Sequence, residues 1–342
     1  MARVDGELAG ELYEELGEIW CLTFVRGVDA REALRRFGAY PDTIVPRTLG
    51  DIGELRLSFD AGYPAVAAVT DVGGWAVVLE PEGFEAAHTL LEAVSAGTEA
   101  VSVLRHDYAA ARFGHAVDGV LVTGFDPDWP HRRWGTEPDR HGVFAEEDDE
   151  RDAAWALPLA AGIAGWLPSL DSVREPWLSA EFDPWFTPAR PTQRLRGDDS
   201  ELHAAVEGAG AADLRAVAVA EVRRIAGLLG VAGTAGLEEV LRAAAGERFP
   251  GVPVDSALGV AVRGWLREAS RASWSLNLDR HRMSEGERQR GYLFGWFTAA
   301  LRGALEPDPL AAAHAALIPL VNGPVALKDP VARGAALARL RR

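Results

Sequence analysis

The sequence predicts an α+β fold: an N-terminal antiparallel or mixed sheet with helices on one face, followed by an all-helical C-terminal half. Apolar, β-type runs flank Gly73-Gly74, and a second pair of such runs flanks Asp118-Gly119. These pairs favour tight hairpin turns, because their residues tolerate positive φ. From residue 211 onward the apolar residues recur at helical spacing and no strand pattern is found. The hairpin at 63–81 is expected in the middle of the sheet.

The length of 342 residues predicts two domains. We expect an α+β domain over 1–150, a connecting segment rich in Pro and Trp over 151–210, and a helical domain over 211–342. The boundary is set at the acidic run Glu146-Glu147-Asp148-Asp149-Glu150. Five neighbouring like charges repel one another and remain solvated, which is typical of a linker or a helix start.

In the first half the patterns predict alternating short elements. Asp29 and Glu32 form a capping-box pattern at the start of one helix. Residues 40–60 contain two prolines and are predicted to be mostly loop. The predicted helices are 6–18, 29–37 and 82–94, and the predicted strands are 20–25, the two arms of 63–81, 99–104, 111–117 and 120–125.

In the second half every predicted element is a helix. Ser284 and Glu287 form another capping-box pattern. The predicted helices are 153–167, 213–229, 237–245, 256–273, 286–305, 309–320 and 330–340.

Composition and charge indicate the compartment and argue against nucleic acid and membranes as partners. The net charge of -16 argues against binding to nucleic acid and is compatible with a basic protein partner or simply with solubility. The sequence contains no apolar run long enough for a membrane span, and its acidic start lacks a signal-peptide core. The single cysteine, Cys21, lies in an apolar run and is expected to be a buried, inert thiol. We therefore expect a cytoplasmic protein without membrane association.

Known catalytic and cofactor motifs are absent from the sequence. Lys328 is the only lysine, which nearly excludes Walker-type, Schiff-base and kinase-type lysine chemistry. A serine-hydrolase elbow, a zinc-protease HExxH motif and a dinucleotide-binding glycine loop after a strand are not found. The sequence thus nominates no catalytic, cofactor-binding or metal-binding residue, and no cofactor is expected.

The stretch DPDWPHRRWG at 126–135 is the first candidate interaction segment. Aromatic side chains supply contact area and arginines supply directional hydrogen bonds, so a recognition loop is one interpretation. The alternative is an ordered loop whose tryptophans pack on the sheet edge. A metal site from Asp126, Asp128 and His131 matches no known ligand spacing. The candidate residues are Trp129, His131, Arg132, Arg133 and Trp134.

A second candidate segment spans residues 166–199. Its prolines forbid a continuous helix, while its aromatic residues are too apolar for a free linker. It is expected to be an extended strap pinned by its aromatics, with an exposed docking segment or a lid as the alternatives. The candidate interaction residues are Trp177, Trp185 and Phe186.

Three blocks of the first half resemble a bacterial family of domains of unknown function. They are CLTFVRGVDAREALRRFGA (21–39), VTDVGGWAVVLEPEGF (69–84) and VSVLRHDYAAARFGHAVDG (101–119). The resemblance covers roughly residues 6 to 150, with a further helical stretch near 213–245. It implies a single globular module over 1–150 and implies no activity.

The leading functional hypothesis is a non-enzymatic protein-interaction module, for example an immunity or regulatory protein that binds a cognate partner. The alternative is an enzyme of unrecognised type that uses the His131/Arg132/Arg133 loop with Asp126 or Asp128 in a cleft between the domains. An enzyme predicts polar groups that converge in a concave pocket, whereas a binder predicts exposed aromatics. A third possibility is an oligomer held by the helical half, and the oligomeric state is left open.

Overall fold

The computed structural model describes residues 6–142, 153–188, 195, 199–246, 251–275 and 279–342. The chain forms two compact units: residues 1–58 with 64–189, and residues 59–63 with 190–342. The first is α+β and the described part of the second is helical, so the predicted fold class is confirmed. The acidic run at 146–150 lies outside the described residues. The first unit also includes the described residues 153–188, which lie beyond the boundary predicted there.

The first unit is built on one nine-stranded antiparallel sheet. The strand order is β2-β9-β3-β4-β1-β5-β6-β7-β8, which places β1 at the centre. The strands are β1 (Ile19–Arg26), β2 (Val45–Arg47), β3 (Ala65–Val72), β4 (Trp75–Pro81), β5 (Glu99–His106), β6 (Arg112–Val117), β7 (Val120–Asp126), β8 (Trp129–Trp134) and β9 (Trp177–Phe182).

Both predicted hairpins are confirmed. Gly73 and Gly74 join β3 to β4 with φ values of 58° and 85°, and Asp118 and Gly119 join β6 to β7 with φ values of 50° and 77°. Paired positive φ values are those of a type I′ turn, whose twist matches that of the flanking strands. The first hairpin lies in the interior of the sheet, as expected.

Helices cover both faces of the sheet rather than the single face predicted. The central strand β1 explains this difference, because it is buried on both sides: Leu22 and Phe24 point to one hydrophobic cluster, while Cys21 and Val25 point to another. Each face therefore needs its own cover. One face is covered by α1 (Gly6–Glu15), α3 (Leu49–Arg56), α5 (Ala156–Ala164) and α6 (Leu170–Arg174), and the other by α2 (Ala30–Arg36), a π-helical turn (Ala86–Leu90) and α4 (Leu91–Val94).

Two regions predicted without regular structure contain elements of the sheet unit. Residues 40–60 hold β2 and α3, and α3 begins at a capping box made by Thr48 and Asp51. The 166–199 segment contains β9, which pairs with both β2 and β3. Prolines within or beside these short elements obscured them, since proline interrupts the strand pattern without excluding an edge strand or a strand beside it.

Glu80 is fully buried on the face that carries Cys21. Its carboxyl accepts hydrogen bonds from the backbone amides of Glu85 and Ala86, both at 3.0 Å, and so caps the helical segment that follows β4. Burial raises the pKa of Glu80 to about 8 despite these bonds. Burial also raises the pKa of the Cys21 thiol, which agrees with the predicted inert cysteine.

The second unit contains seven described α-helices. The predicted capping box at Ser284 and Glu287 is present at the start of α11. None of the described helices combines the length and apolar character needed to span a membrane. The helices are α7 (Ser200–Gly208), α8 (Ala211–Leu229), α9 (Leu237–Ala245), α10 (Ala257–Trp274), α11 (Glu285–Ala304), α12 (Pro309–Asn322) and α13 (Pro330–Leu340).

Candidate functional site

The first candidate segment forms an edge of the sheet. Residues 129–134, predicted to be loop, form β8, the last strand in the order, so only β7 pairs with it among the described strands. The pairing slips between Phe125 and Asp126, which leaves Pro130, His131 and Arg132 in a bulge. A bulge and a proline interrupt the row of backbone groups that an added strand would need. The edge therefore offers side chains more readily than backbone.

The bulged part of β8 exposes an aromatic and cationic cluster. Trp129 is 53 % exposed. The Arg132 guanidinium lies 5.4 Å from the centre of the Trp129 ring, and the His131 ring meets the same indole edge-on at 5.9 Å. An arginine over an indole face is held there by a cation–π interaction, so the two exposed groups are presented together.

Trp134 at the end of β8 is held more firmly. Its indole packs over Gly124, where an added Cβ would lie 2.5 Å from the indole nitrogen, and Arg112 lies 5.4 Å from the ring centre. The residue remains 38 % exposed. Arg133 forms an ion pair with Asp139 at 2.7 Å. We call the exposed side chains of Trp129, His131, Arg132 and Trp134 the edge surface.

The proposed metal ligands on this segment do not converge. The carboxyl of Asp126 accepts a hydrogen bond from the backbone amide of Asp128 at 3.0 Å, which is a turn-stabilising contact. Asp126, Asp128 and His131 do not form a group within reach of one ion among the described residues. The geometry gives no support to a metal site here.

The aromatic residues of the second candidate segment are mostly buried. Trp177 lies in β9 and its indole donates to the carbonyl of Ser172 at 2.7 Å. Trp185 is 7 % exposed and packs edge-on against Phe186, which in turn meets Tyr40. Trp177 and Trp185 therefore serve the core of the first unit, and Phe186 is partly covered. None of the three belongs to the edge surface.

A chain of polar side chains that the sequence did not suggest lies beside the edge. His115 of β6 is 1 % exposed and uses both ring nitrogens. Its Nε2 lies 2.9 Å from a carboxylate oxygen of Glu99 in β5, and its Nδ1 lies 3.0 Å from Nε2 of His141. The two imidazoles are stacked with centres 5.1 Å apart.

Only one arrangement of protons satisfies this chain with neutral rings. A carboxylate can only accept, so Nε2 of His115 carries a proton and donates to Glu99. Nδ1 of His115 then accepts from Nε2–H of His141. Burial lowers the pKa of His115, and burial together with the neighbouring His115 lowers the pKa of His141 to about 4. Both rings are thus neutral at physiological pH.

The Glu99–His115–His141 hydrogen-bond chain anchors the segment that follows β8. The backbone amides of Thr136 and Glu137 donate to the carbonyls of Leu121 and Val122, which extends the pairing with β7. His141 then folds back onto the sheet, where its ring also meets Phe113 edge-on at 5.7 Å. The contacts of His141 and Glu137 therefore hold the segment after β8 against the sheet and so fix the position of the edge strand.

This anchor predicts a loss of stability in acid. The pKa of His141 is lower in the folded chain than its ordinary value of 6.5, so the unfolded chain binds more protons between these values. The contribution of His141 is complete above about pH 6.5 and is lost as the pH falls to about 4. His141→Gln keeps a donor for His115 but cannot titrate, so its unfolding free energy should fall less over this range than that of the wild type.

The matched control for the pH experiment is His131→Gln, which removes an exposed imidazole from β8. Urea unfolding at a series of pH values, followed by tryptophan fluorescence, gives the comparison. The control should keep the wild-type dependence. Equal dependence in His141→Gln and in the wild type would contradict the anchor.

The sequence contained a weak signal for this chain. Glu99 and His115 both lie in strands that were predicted, and the Asp118-Gly119 turn fixes how β6 pairs with β7. Their contact, however, depends on the β5–β6 register, in which Val101 lies opposite His115. That register is set across a turn without a hairpin signature, so the pair could not be recognised from spacing.

Comparison with known protein families finds a match over part of the chain. Residues 8–144 match the family of unknown function DUF6461. The resemblance of residues 6–150 to a domain-of-unknown-function family is thereby confirmed. No curated protein and no solved structure matches the chain.

The DUF6461 segment contains strands β1 to β8, and with them the edge surface and the Glu99–His115–His141 chain. It does not include β9, α5 or the helical unit. The ninth strand, inserted between β2 and β3, comes from outside the matched residues.

Proposed function

We propose that this is a cytoplasmic bacterial protein that binds a protein partner through the edge surface of its DUF6461 segment, as an immunity or regulatory protein would. The observation that carries the proposal is the exposure of Trp129 and Arg132 together on the terminal strand of the sheet. Tryptophan and arginine are the residue types most enriched where alanine substitution costs binding energy.

The opposite edge of the sheet supports this choice by contrast. It is formed by β2, which has three residues and carries Pro46 in the middle. Proline blocks the addition of a further strand at both edges, since Pro130 lies in β8, so the two edges differ in strand length and in their exposed side chains. The β8 edge instead carries exposed aromatic side chains. Such exposure does not stabilise a folded monomer and is typical of an interaction site.

The chemistry of the edge surface indicates what the partner presents. Arg132 offers a guanidinium that can pair with a carboxylate in a bidentate manner, and Trp129 offers an apolar face beside it. We infer a partner segment in which an acidic residue adjoins an apolar one. The exposed aromatics favour this interpretation over the enzyme alternative, which requires His131 and its neighbours to converge in a pocket.

The test is capture of a partner from host lysate by the tagged wild-type protein and by the double variant Trp129→Ala/Arg132→Ala. Both side chains are at the surface, so the variant should unfold at the same temperature as the wild type. Loss of two central contacts of this type costs several kcal/mol of binding free energy, about a hundredfold or more in affinity. The partner found with the wild type should therefore be absent with the variant.

Trp274→Ala is the matched control, because Trp274 is 62 % exposed on α10 of the helical unit. It should retain the partner. A partner held equally by the double variant and by the wild type would remove the edge surface from consideration, as would a partner lost in Trp274→Ala.

A further inference from the structure

The helical unit brings together three side chains of the kind that bind transition metals. His203 and Glu207 lie four residues apart on α7 and therefore share a face of that helix. His314 of α12 completes the group. One donor atom from each of the three residues lies within 4.8 Å of the others.

The contacts within the group fit a common ligand. Nε2 of His314 lies 2.9 Å from a carboxylate oxygen of Glu207, and Nε2 of His203 lies 4.0 Å from the same oxygen. Zinc binds imidazole nitrogen and carboxylate oxygen at about 2.0–2.2 Å, so tetrahedral donors stand roughly 3.4 Å apart. The observed separations lie on either side of that value, so binding requires small movements of both partly exposed side chains, His203 and Glu207.

The burial of His314 is the second observation. The residue is 1 % exposed, and its Nδ1 is buried with no hydrogen-bond partner among the described residues. Burial holds the His314 ring in place with Nε2 directed at the Glu207 carboxylate, while Nδ1 takes no part in the donor group. The other two ligands face solvent, with the His203 side chain 40 % exposed and that of Glu207 43 % exposed.

We propose that His203, Glu207 and His314 form a zinc site that joins α7 to α12. Two imidazoles, one carboxylate and a position open to water are the ligand set of zinc sites whose ion remains accessible. Binding moves the proton of His314 from Nε2 to Nδ1, which has no acceptor in the part of the chain that the structure describes. The missing outer contact weakens the site about 10–100-fold relative to one whose histidine is supported.

The site lies outside the DUF6461 segment and is independent of the edge surface. His203→Ala and Glu207→Gln both change partly or fully exposed residues, so the variants should fold as the wild type does. His281→Ala is the control, because His281 is an exposed histidine of the same unit.

The experiment uses the untagged full-length protein, treated with EDTA and then titrated with zinc chloride against a competing zinc-binding dye. The wild type should bind one zinc ion per chain. His203→Ala and Glu207→Gln should each weaken zinc binding by more than about tenfold, because each removes a direct ligand rather than an outer contact. His281→Ala should bind as the wild type does.

Circular dichroism of each variant confirms that it is folded. Cobalt(II) added to the metal-free wild type should give the visible absorption of a tetrahedral ion, and His203→Ala should abolish it. Absence of stoichiometric zinc binding by the wild type would overturn the proposal. Unchanged affinity in both His203→Ala and Glu207→Gln would overturn it equally, because the ion would then lie elsewhere.

Discussion

Replacing Phe113 with alanine is expected to lower the free energy of unfolding of the first unit by about 3–5 kcal/mol. The ring is 0 % exposed, stacks on Phe125 with centres 4.6 Å apart, and touches the His141 ring edge-on. Phe125 stacks in turn on Trp155 at 5.3 Å. Removing Phe113 leaves a cavity in this stack that the surrounding strands cannot close.

The matched control is Phe84→Ala, since Phe84 is 39 % exposed and its ring meets those of His88, which is exposed, and His106, which is partly exposed. It should cost less than about 1 kcal/mol. Urea unfolding followed by tryptophan fluorescence is suitable because eight of the 11 tryptophans lie in residues 1–189. Similar losses in the two variants would show that the aromatic stack does not belong to the core.

Replacing Gly135 with alanine is expected to destabilise the first unit by about 2–5 kcal/mol and to displace the edge strand. Gly135 follows β8 with a φ of 110°, a conformation that side chains rarely adopt. An added Cβ would lie 2.3 Å from the carbonyl oxygen of Val122. The chain must move away from β7 to admit it, which should also weaken partner binding.

Gly73→Ala is the control that separates backbone strain at positive φ from a steric clash of the added Cβ. Gly73 has a φ of 58° and nothing lies within 4 Å of its added Cβ, so only the backbone cost of about 1 kcal/mol applies. Thermal unfolding of both variants, with capture of the partner by each, provides the comparison. A Gly135→Ala protein as stable as Gly73→Ala would mean that the chain after β8 does not pack on β7 as described.

Features encoded by a few adjacent residues were predictable from the sequence. Gly73-Gly74 and Asp118-Gly119 specify turns locally, and Ser284 with Glu287 marks a helix start, because each relies on φ preference or on a hydrogen bond across three residues. The long helices of the second unit were predictable for a related reason. Their apolar residues recur at helical spacing over many turns, so the periodicity is not obscured by single exceptions.

Features that depend on contacts distant in sequence were not predictable. β9 pairs with β2 across more than a hundred residues, and the prolines near it suggested an extended strap. Glu99 meets His115 only through the β5–β6 register, and His314 meets Glu207 only through the packing of α12 on α7. The exposure of Trp129 and the burial of Trp177 likewise follow from strand order rather than from local composition.

Photo-crosslinking from position 129 tests the central claim most directly. Trp129 is replaced by benzoyl-phenylalanine, which keeps an aromatic side chain on β8, and the protein is irradiated in host lysate. The same residue placed at position 274 is the control. We predict one dominant crosslinked protein from position 129 and none from position 274. No product from position 129, or the same product from both positions, would contradict the proposal that the edge surface binds a partner.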